Sequence, residues 1–268
     1  MFDLNNKVVL ITGAASGIGA GVARAVLEKG AKHVAVLDVN TKLGKELEEE
    51  LNLKHGAKRV KFITCDVTKD LDSAYEETLN AFGYIDVVIN NAGIMNDAPH
   101  IYEKEIAINV TALITSSLKA YNLMHIGQGG KGGTIINISS IVGLFQSYIL
   151  PVYSATKSAV LQFSNCLGMN KNFSRSGVRV ITICFGCTET NLIEGTIGGF
   201  CKELEPEIME GIKGMPHQNI ESAVKGLIEA YEKGESGSTW LVTSGKPAEE
   251  ITNNVKKAYN ILTQGVFH

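Results

Sequence analysis

The chain has 268 residues, 44% of them apolar and 20% charged, with a formal net charge of -3. That length and apolar share suit one large core rather than a disordered or fibrous chain, and the lack of a basic excess argues against a nucleic-acid partner. The N-terminus shows no charged-then-apolar leader and no apolar run reaches membrane-span length, so a cytoplasmic protein without a membrane span is expected.

From the first residues, Lys7 to Thr12 forms a β-branched apolar run that leads into Gly13-Ala14-Ala15-Ser16-Gly17-Ile18-Gly19, after which apolar residues follow a helical period up to Gly30. Strand, glycine loop and helix in that order suit a dinucleotide. The glycines let backbone approach a pyrophosphate, and the helix start offers unpaired N–H groups. A plain tight turn is the alternative. A second strand, His33 to Leu37, ends at Asp38, about 20 residues past the loop, where a carboxylate can bind both hydroxyls of an adenosine ribose and repel a 2′-phosphate. Val39, Asn40 and Thr41 add no cation there. NAD is therefore expected over NADP.

Helix 41–55, strand 60–64, Cys65-Asp66-Val67, helix 70–82 and strand 85–89 continue the alternation, which predicts a parallel sheet covered on both faces. Asn90-Asn91-Ala92-Gly93 then suits a wall for a flat adenine or ribose, or a tight turn. A long helix is expected from Pro99 to about His125 with Asn109 in its middle. A turn at Gly127 to Gly133 and a buried strand closing at Ser140 follow. Strand Val178 to Cys184, helix Ile220 to Lys233, strand Ser238 to Thr243 and a helical tail from about Ala248 complete the pattern. Residues 191–217 mix glycines with Leu192, Ile193, Ile197, Phe200, Met209 and Met215, which fits either a mobile apolar lid or a packed surface helix. The 5 cysteines are expected as free thiols. Cys184-Phe185-Gly186-Cys187 spells CxxC but lacks a second pair and a neighbouring histidine, so no metal is expected.

The stretch Tyr153-Ser154-Ala155-Thr156-Lys157 puts a phenol and an ammonium on one face of a helix. A free tyrosine has a pKa near 10, and lowering it by about three units takes roughly 4 kcal/mol. Lys157 is placed to supply that as a nearby positive charge. The tyrosinate could then take a proton from an alcohol, or the phenol return one to a carbonyl. Ser140, thirteen residues upstream at a strand end, lies where open parallel sheets place their chemistry.

With the loop, Asp38, Asn-Asn-Ala-Gly, Ser140, Tyr153 and Lys157 in order, the sequence resembles the short-chain dehydrogenase/reductase family over essentially its whole length. Within that family it is similar to the branch that holds 15-hydroxyprostaglandin dehydrogenases and insect-type alcohol dehydrogenases, through Gly129-Gly130-Lys131-Gly132-Gly133, Pro151-Val152-Tyr153 and the strand near Trp240. The resemblance implies one Rossmann-type domain over 1–268, a doubly wound parallel α/β sheet with helices on both faces, a lid at about 187–217 and a tail at about 246–268. It implies Tyr153 as general acid/base, Lys157 as the residue that lowers its pKa and holds the nicotinamide ribose, Ser140 on the substrate oxygen, and Asn109 fixing a water that links Lys157 to solvent. Gly13, Ser16, Gly17, Ile18 and Gly19 would cradle the pyrophosphate, Asp38 and Val39 the adenosine ribose, Asp66 and Val67 the adenine. Asn91, Ala92 and Gly93 would form the wall, and Gly186, Thr188 and Thr190 would hold the nicotinamide end.

Two departures stand out. Phe185 replaces the family's usual proline before Gly186, and Leu150 stands where the prostaglandin enzymes are expected to use a polar side chain. Ser140, Ile141, Phe145, Leu150, Phe185 and Leu192 are the expected substrate wall, and its apolar character favours a lipophilic secondary alcohol or its ketone (terpenoid, steroid, prostaglandin-like or other lipid). An NADPH-dependent carbonyl reductase, a small-alcohol dehydrogenase and a non-catalytic binding protein are the alternatives. The family's habit of pairing through long helices implies a homodimer or homotetramer.

Overall fold

The computed structural model describes residues 1–194 and 197–266. The first half alternates strands and helices: β1 (Val8–Thr12), α1 (Gly17–Glu28), β2 (His33–Asp38), α2 (Thr41–His55), β3 (Val60–Thr64), α3 (Leu71–Phe82) and β4 (Val87–Asn90). A long helical segment follows as α4 (Tyr102–Ile106), a π-helical turn (Ala107–Ala112) and α5 (Leu113–Met124). Next come β5 (Gly133–Ser140), α6 (Pro151–Leu167), α7 (Asn170–Ser176) and β6 (Val178–Phe185). The remainder comprises β7 (Cys187–Thr188), α8 (Asn191–Glu194), α9 (Glu205–Gly214), β8 (His217–Gln218), α10 (Ile220–Lys233), β9 (Ser238–Val242), β10 (Glu249–Glu250) and α11 (Thr252–Leu262).

The main sheet has the order β10-β9-β6-β5-β4-β1-β2-β3 and is parallel except for the β10 edge, which pairs antiparallel with β9. Strand periodicity explains its two cores. Val9, Ile11, Val34, Val36, Ile181 and Ile183 face one side, where Val22, Val26, Leu227 and Tyr231 of α1 and α10 cover them. The alternate residues Leu10, Ala35, Leu37, Val88 and Val180 face the other, under Leu71, Tyr75, Ala120 and Met124 of α3 and α5. Because both faces are buried, β1, β5 and β6 are enclosed almost throughout. Each large apolar side chain so buried contributes about 1.5–3 kcal/mol. The strand order reverses between β1 and β4, and a crevice opens there at the carboxyl ends of the strands. Among the described residues, no helix is long and apolar enough to cross a membrane.

Several expectations need correction. The long helix begins at Tyr102 rather than Pro99, and its middle is a π turn. Strand β4 starts at Val87, two residues later than expected, because its pairing with β1 and β5 begins there. The region read either as a mobile apolar lid or as packed surface helix contains regular pieces: β7 and β8 pair in a small parallel sheet, and α9 is a ten-residue helix with Pro206 in its first turn. The lid positions Gly195 and Thr196 lie outside the described residues, as do Phe267 and His268 of the tail. The tail forms the short β10 edge before its helix begins.

Candidate active site

The first cleft lies along the loop from β1 into α1. Gly13 has a φ of +63° and Gly17 of +55°, values at which a Cβ would strain the backbone. A Cβ on Gly13 would also lie 2.7 Å from the Ala92 Cα. That close approach is fixed by hydrogen bonds, since Asn91 Nδ2 donates to the carbonyls of Thr12 at 3.1 Å and Gly13 at 2.8 Å. Thr12 Oγ1 in turn accepts the N–H groups of Asn91 and Ala92. Gly13, Ser16, Gly17, Ile18, Asp38, Val39, Asp66, Val67, Asn91, Ala92, Gly93 and Thr190 all line this groove. Gly19 does not; it packs against Gly13 and Ala14 and shapes the turn from behind. At the end of β2, Asp38 accepts N–H bonds from Ala15 at 3.0 Å and Asn40 at 2.9 Å, which tie its carboxylate to the glycine loop. Ser16, at the N-cap of α1, makes no side-chain cap bond, so the donors of the first turn are left to the groove. Lys104 of α4 also lines the groove, a cation that no local motif marked.

A second cleft continues from the first, sharing Ile18, Asn91, Gly93, Thr190 and Leu192 with it. Tyr153 and Lys157 face this cleft from α6, with the Lys157 ammonium 5.6 Å from the phenol ring centre. Lys157 Nζ donates to the Ile138 carbonyl at 3.2 Å. Ser140, at the end of β5, donates to the Phe185 carbonyl at 3.3 Å and accepts from Val142 N–H at 3.3 Å. Asn109 sits in the π turn and is fully buried. Its amide clasps Ile94 from both sides, accepting from Ile94 N–H at 2.9 Å and donating to its carbonyl at 2.8 Å. A third bond reaches Thr156 Oγ1 at 3.2 Å, so Asn109 joins the loop after β4 to the helix of Tyr153. Such π turns recur at functional sites because the extra residue re-aims the side chains around it.

Burial pushes the Tyr153 phenol up, the charge of Glu105 adds to this, and the hydrogen bond with Ser140 opposes it. Lys157 is lowered to about 8, again by burial, with Glu105 acting the other way. For both side chains burial is the largest influence.

Of the substrate wall read from sequence, Ser140, Ile141, Leu150, Phe185 and Leu192 line the second cleft, with Ile193 and Met215 beside them. Phe145 does not. It follows the short helical turn after β5 and is exposed. Phe200 is likewise exposed, and Met209 packs into the small cluster around Leu150 and Ile208 rather than onto the cleft. Gly186 and Thr188 line the cleft, although the Thr188 hydroxyl is already bonded to the Gly186 carbonyl and to Gln218. Met95, Val142, Ile149, Ile208 and Ile212 complete the apolar wall. Only the folding of α9 and the loop before α6 over the strand ends brings them together, and no local signal marked them.

Comparison with known proteins adds four relationships. A family model described as short chain dehydrogenase matches residues 7–196. The 15-hydroxyprostaglandin dehydrogenase (NAD(+)) of Macaca fascicularis is 37% identical over 193 residues, 71% of each chain. Fat body protein 2 of Drosophila melanogaster is 27% identical over 254 residues, covering 94% of this chain and 97% of that protein. Among solved structures, a 3-ketoacyl-(acyl-carrier-protein) reductase from Brucella melitensis complexed with NADH superimposes with a TM-score of 0.74 at 24% identity, over 91% of this chain and 99% of that one, a likeness in fold.

Proposed function

This chain belongs to the short chain dehydrogenase family, and on that premise we propose that it interconverts a lipophilic secondary alcohol and its ketone with NAD. The observation that carries the reading is the junction of the two clefts: an apolar pocket holding Ser140 and Tyr153 opens directly onto a glycine-loop groove edged by Asp38. The groove fits a dinucleotide. A Cβ at Gly13 would meet Ala92 and close the space a pyrophosphate needs, and the uncapped start of α1 offers N–H donors to an anion. Asp38 at the end of β2 suits two ribose hydroxyls and opposes a 2′-phosphate, which favours NAD over NADP. The names of the relative and of the structural neighbour, with NAD(+) and NADH respectively, support the same cofactor.

Bound NAD supplies the hydride acceptor. Everything else falls to the chain's own groups. Ser140 donates a hydrogen bond to the substrate oxygen, exchanging its present partner, the Phe185 carbonyl. Tyr153 takes the hydroxyl proton in oxidation and returns it in reduction. Because burial holds the phenol up, forming the tyrosinate needs positive charge beside it, which the Lys157 ammonium on the same helix face would supply. Asn109 and Thr156 hold the wall behind Lys157 in place.

For the substrate, Leu150, Ile149, Ile208, Ile212 and Met215 offer apolar contact and no cation to a charged one. Each methylene buried there contributes about 0.8 kcal/mol. NADH absorbance with a homologous series of secondary alcohols tests the reading: kcat/KM is expected to climb as the chain grows past three carbons. A flat or falling profile would mark a small-alcohol dehydrogenase instead.

A further inference from the structure

Two carboxyl groups stand behind Tyr153. Asp97 lies on the loop between β4 and α4 and is 1% exposed; Glu105, on α4, is 0% exposed. Asp97 reaches the first turn of α6, where its two oxygens accept the N–H groups of Val152 at 2.7 Å and Tyr153 at 3.0 Å. Helix starts leave such donors without partners, and Leu150 at the N-cap supplies no side-chain bond. A carboxylate in this place also meets the positive end of the helix. Glu105 Oε1 accepts from Asn96 N–H at 3.0 Å. Its other oxygen, Oε2, is buried without a hydrogen-bond partner among the described residues, and the Glu105 and Asp97 carboxyl groups interact with one another. Two carboxylates side by side and away from water do not both ionise readily. A proton on Glu105 Oε2 makes that oxygen a donor toward Asp97 and leaves a single negative charge on the pair.

We infer that Glu105 is a positioning residue: through one proton shared with Asp97 it holds the first turn of α6, and with it Tyr153, in the orientation the reaction needs. The role rests on Tyr153 acting as general acid/base, whereas the carboxyl pair stands without it. Burial pushes Glu105 up to about 7, opposed by the bond from Asn96 and reinforced by the charge of Asp97. Asp97 is raised as well, by burial, against its bonds from Val152 and Tyr153. The titratable groups that face Glu105 are Asp97 on the loop and Tyr153 and Lys157 on α6. A neutral Glu105 favours the tyrosinate; an ionised one pushes the phenol higher. The folded-state carboxyl lies above its unfolded value near 4.3. Its contribution to stability is therefore complete below that pH and is lost as pH rises through about 7.

Glu105→Gln keeps the shape, an oxygen for Asn96 N–H and a donor toward Asp97, without the proton that titrates. Across pH 5 to 8 without cofactor, the parent is expected to lose on the order of 5 °C in melting temperature relative to this variant. Over the same range the ring-carbon NMR resonance of Tyr153, assigned by its disappearance in Tyr153→Phe, should show a step near pH 7 in the parent that Glu105→Gln lacks, while the step from Lys157 near 8 is common to both. Parallel melting curves, or a Tyr153 resonance that behaves alike in both proteins, overturn the inference. Should the glutamine variant not fold, Glu105→Met, of similar volume and without charge, carries the same two measurements. NADH absorbance with the parent reports separately on the reaction: an inactive parent removes the alcohol-oxidation reading, while melting and resonance still decide the carboxyl pair.

Discussion

At Tyr153 the phenol is enclosed, its neighbour Lys157 is enclosed, and both are driven toward their neutral forms by the same lack of water. A side chain in that condition is a poor base until charge arrives next to it, and the reaction we propose therefore depends on what is bound beside the phenol. Tyr153→Phe removes the hydroxyl and keeps the ring that packs with Leu150 and Ile208. Turnover of a secondary alcohol is expected to fall by about 10² to 10⁴, the range for a lost general acid/base, with NAD affinity by calorimetry close to the parent's. Activity within a few-fold of the parent would remove Tyr153 from the mechanism.

The π turn at Ala107–Ala112 is the element that ties the two clefts together, because Asn109 projects from it onto Ile94 and Thr156. Asn109→Ala leaves the N–H and carbonyl of the half-buried Ile94, at the groove wall, without their side-chain partner. Leaving buried groups unpaired costs about 1–3 kcal/mol each, so urea denaturation should show a loss of roughly 2–4 kcal/mol, together with weaker NAD binding as the wall from Asn91 to Ile94 loosens. A change below about 0.5 kcal/mol, the usual size for a neutral surface substitution, would show that the turn is held by other means. Elements with a local signature were legible beforehand: α2, α10 and β3 begin and end where the sequence pattern put them, and in the fold Asn40 and Asn219 cap the two helices. The segment α7, Asn-Lys-Asn-Phe-Ser-Arg-Ser, carries no apolar period and gave no sign of a helix. Strands β7 and β8 are two residues each, too short for a pattern to show.

For the whole molecule, a ligand that binds only the folded chain raises its melting temperature by mass action. At about 100 times its dissociation constant, NAD contributes about 2.7 kcal/mol, which for a chain of this size is roughly 5–10 °C. NADP at the same concentration should stabilise less, because its phosphate meets the Asp38 carboxylate, held at the groove edge by Ala15 and Asn40. Asp38→Ala combined with Val39→Arg should reverse the order by removing the repulsion and adding a phosphate partner. If the unaltered protein is stabilised more by NADP than by NAD, Asp38 does not set the cofactor.

What the amino-acid order determined by itself is everything carried by local pattern: the alternation of strand and helix, the glycine loop at a strand end, an acidic residue closing β2, and a tyrosine and lysine four residues apart on one helix face. These follow from periods of 2.0 and 3.6 residues and from the conformational freedom of glycine, which need no knowledge of the rest of the chain. The tertiary structure decided what depends on partners distant in sequence. It turned Phe145 outward, put Gly19 behind the groove, and gathered Ile149, Ile208 and Ile212 around Leu150. It also closed water away from Tyr153 and Lys157, and set Asp97 and Glu105 against the start of α6. Desolvation is a property of what surrounds a side chain on all sides, so the direction in which the Tyr153 phenol moves could not be read from the lysine four residues along the helix.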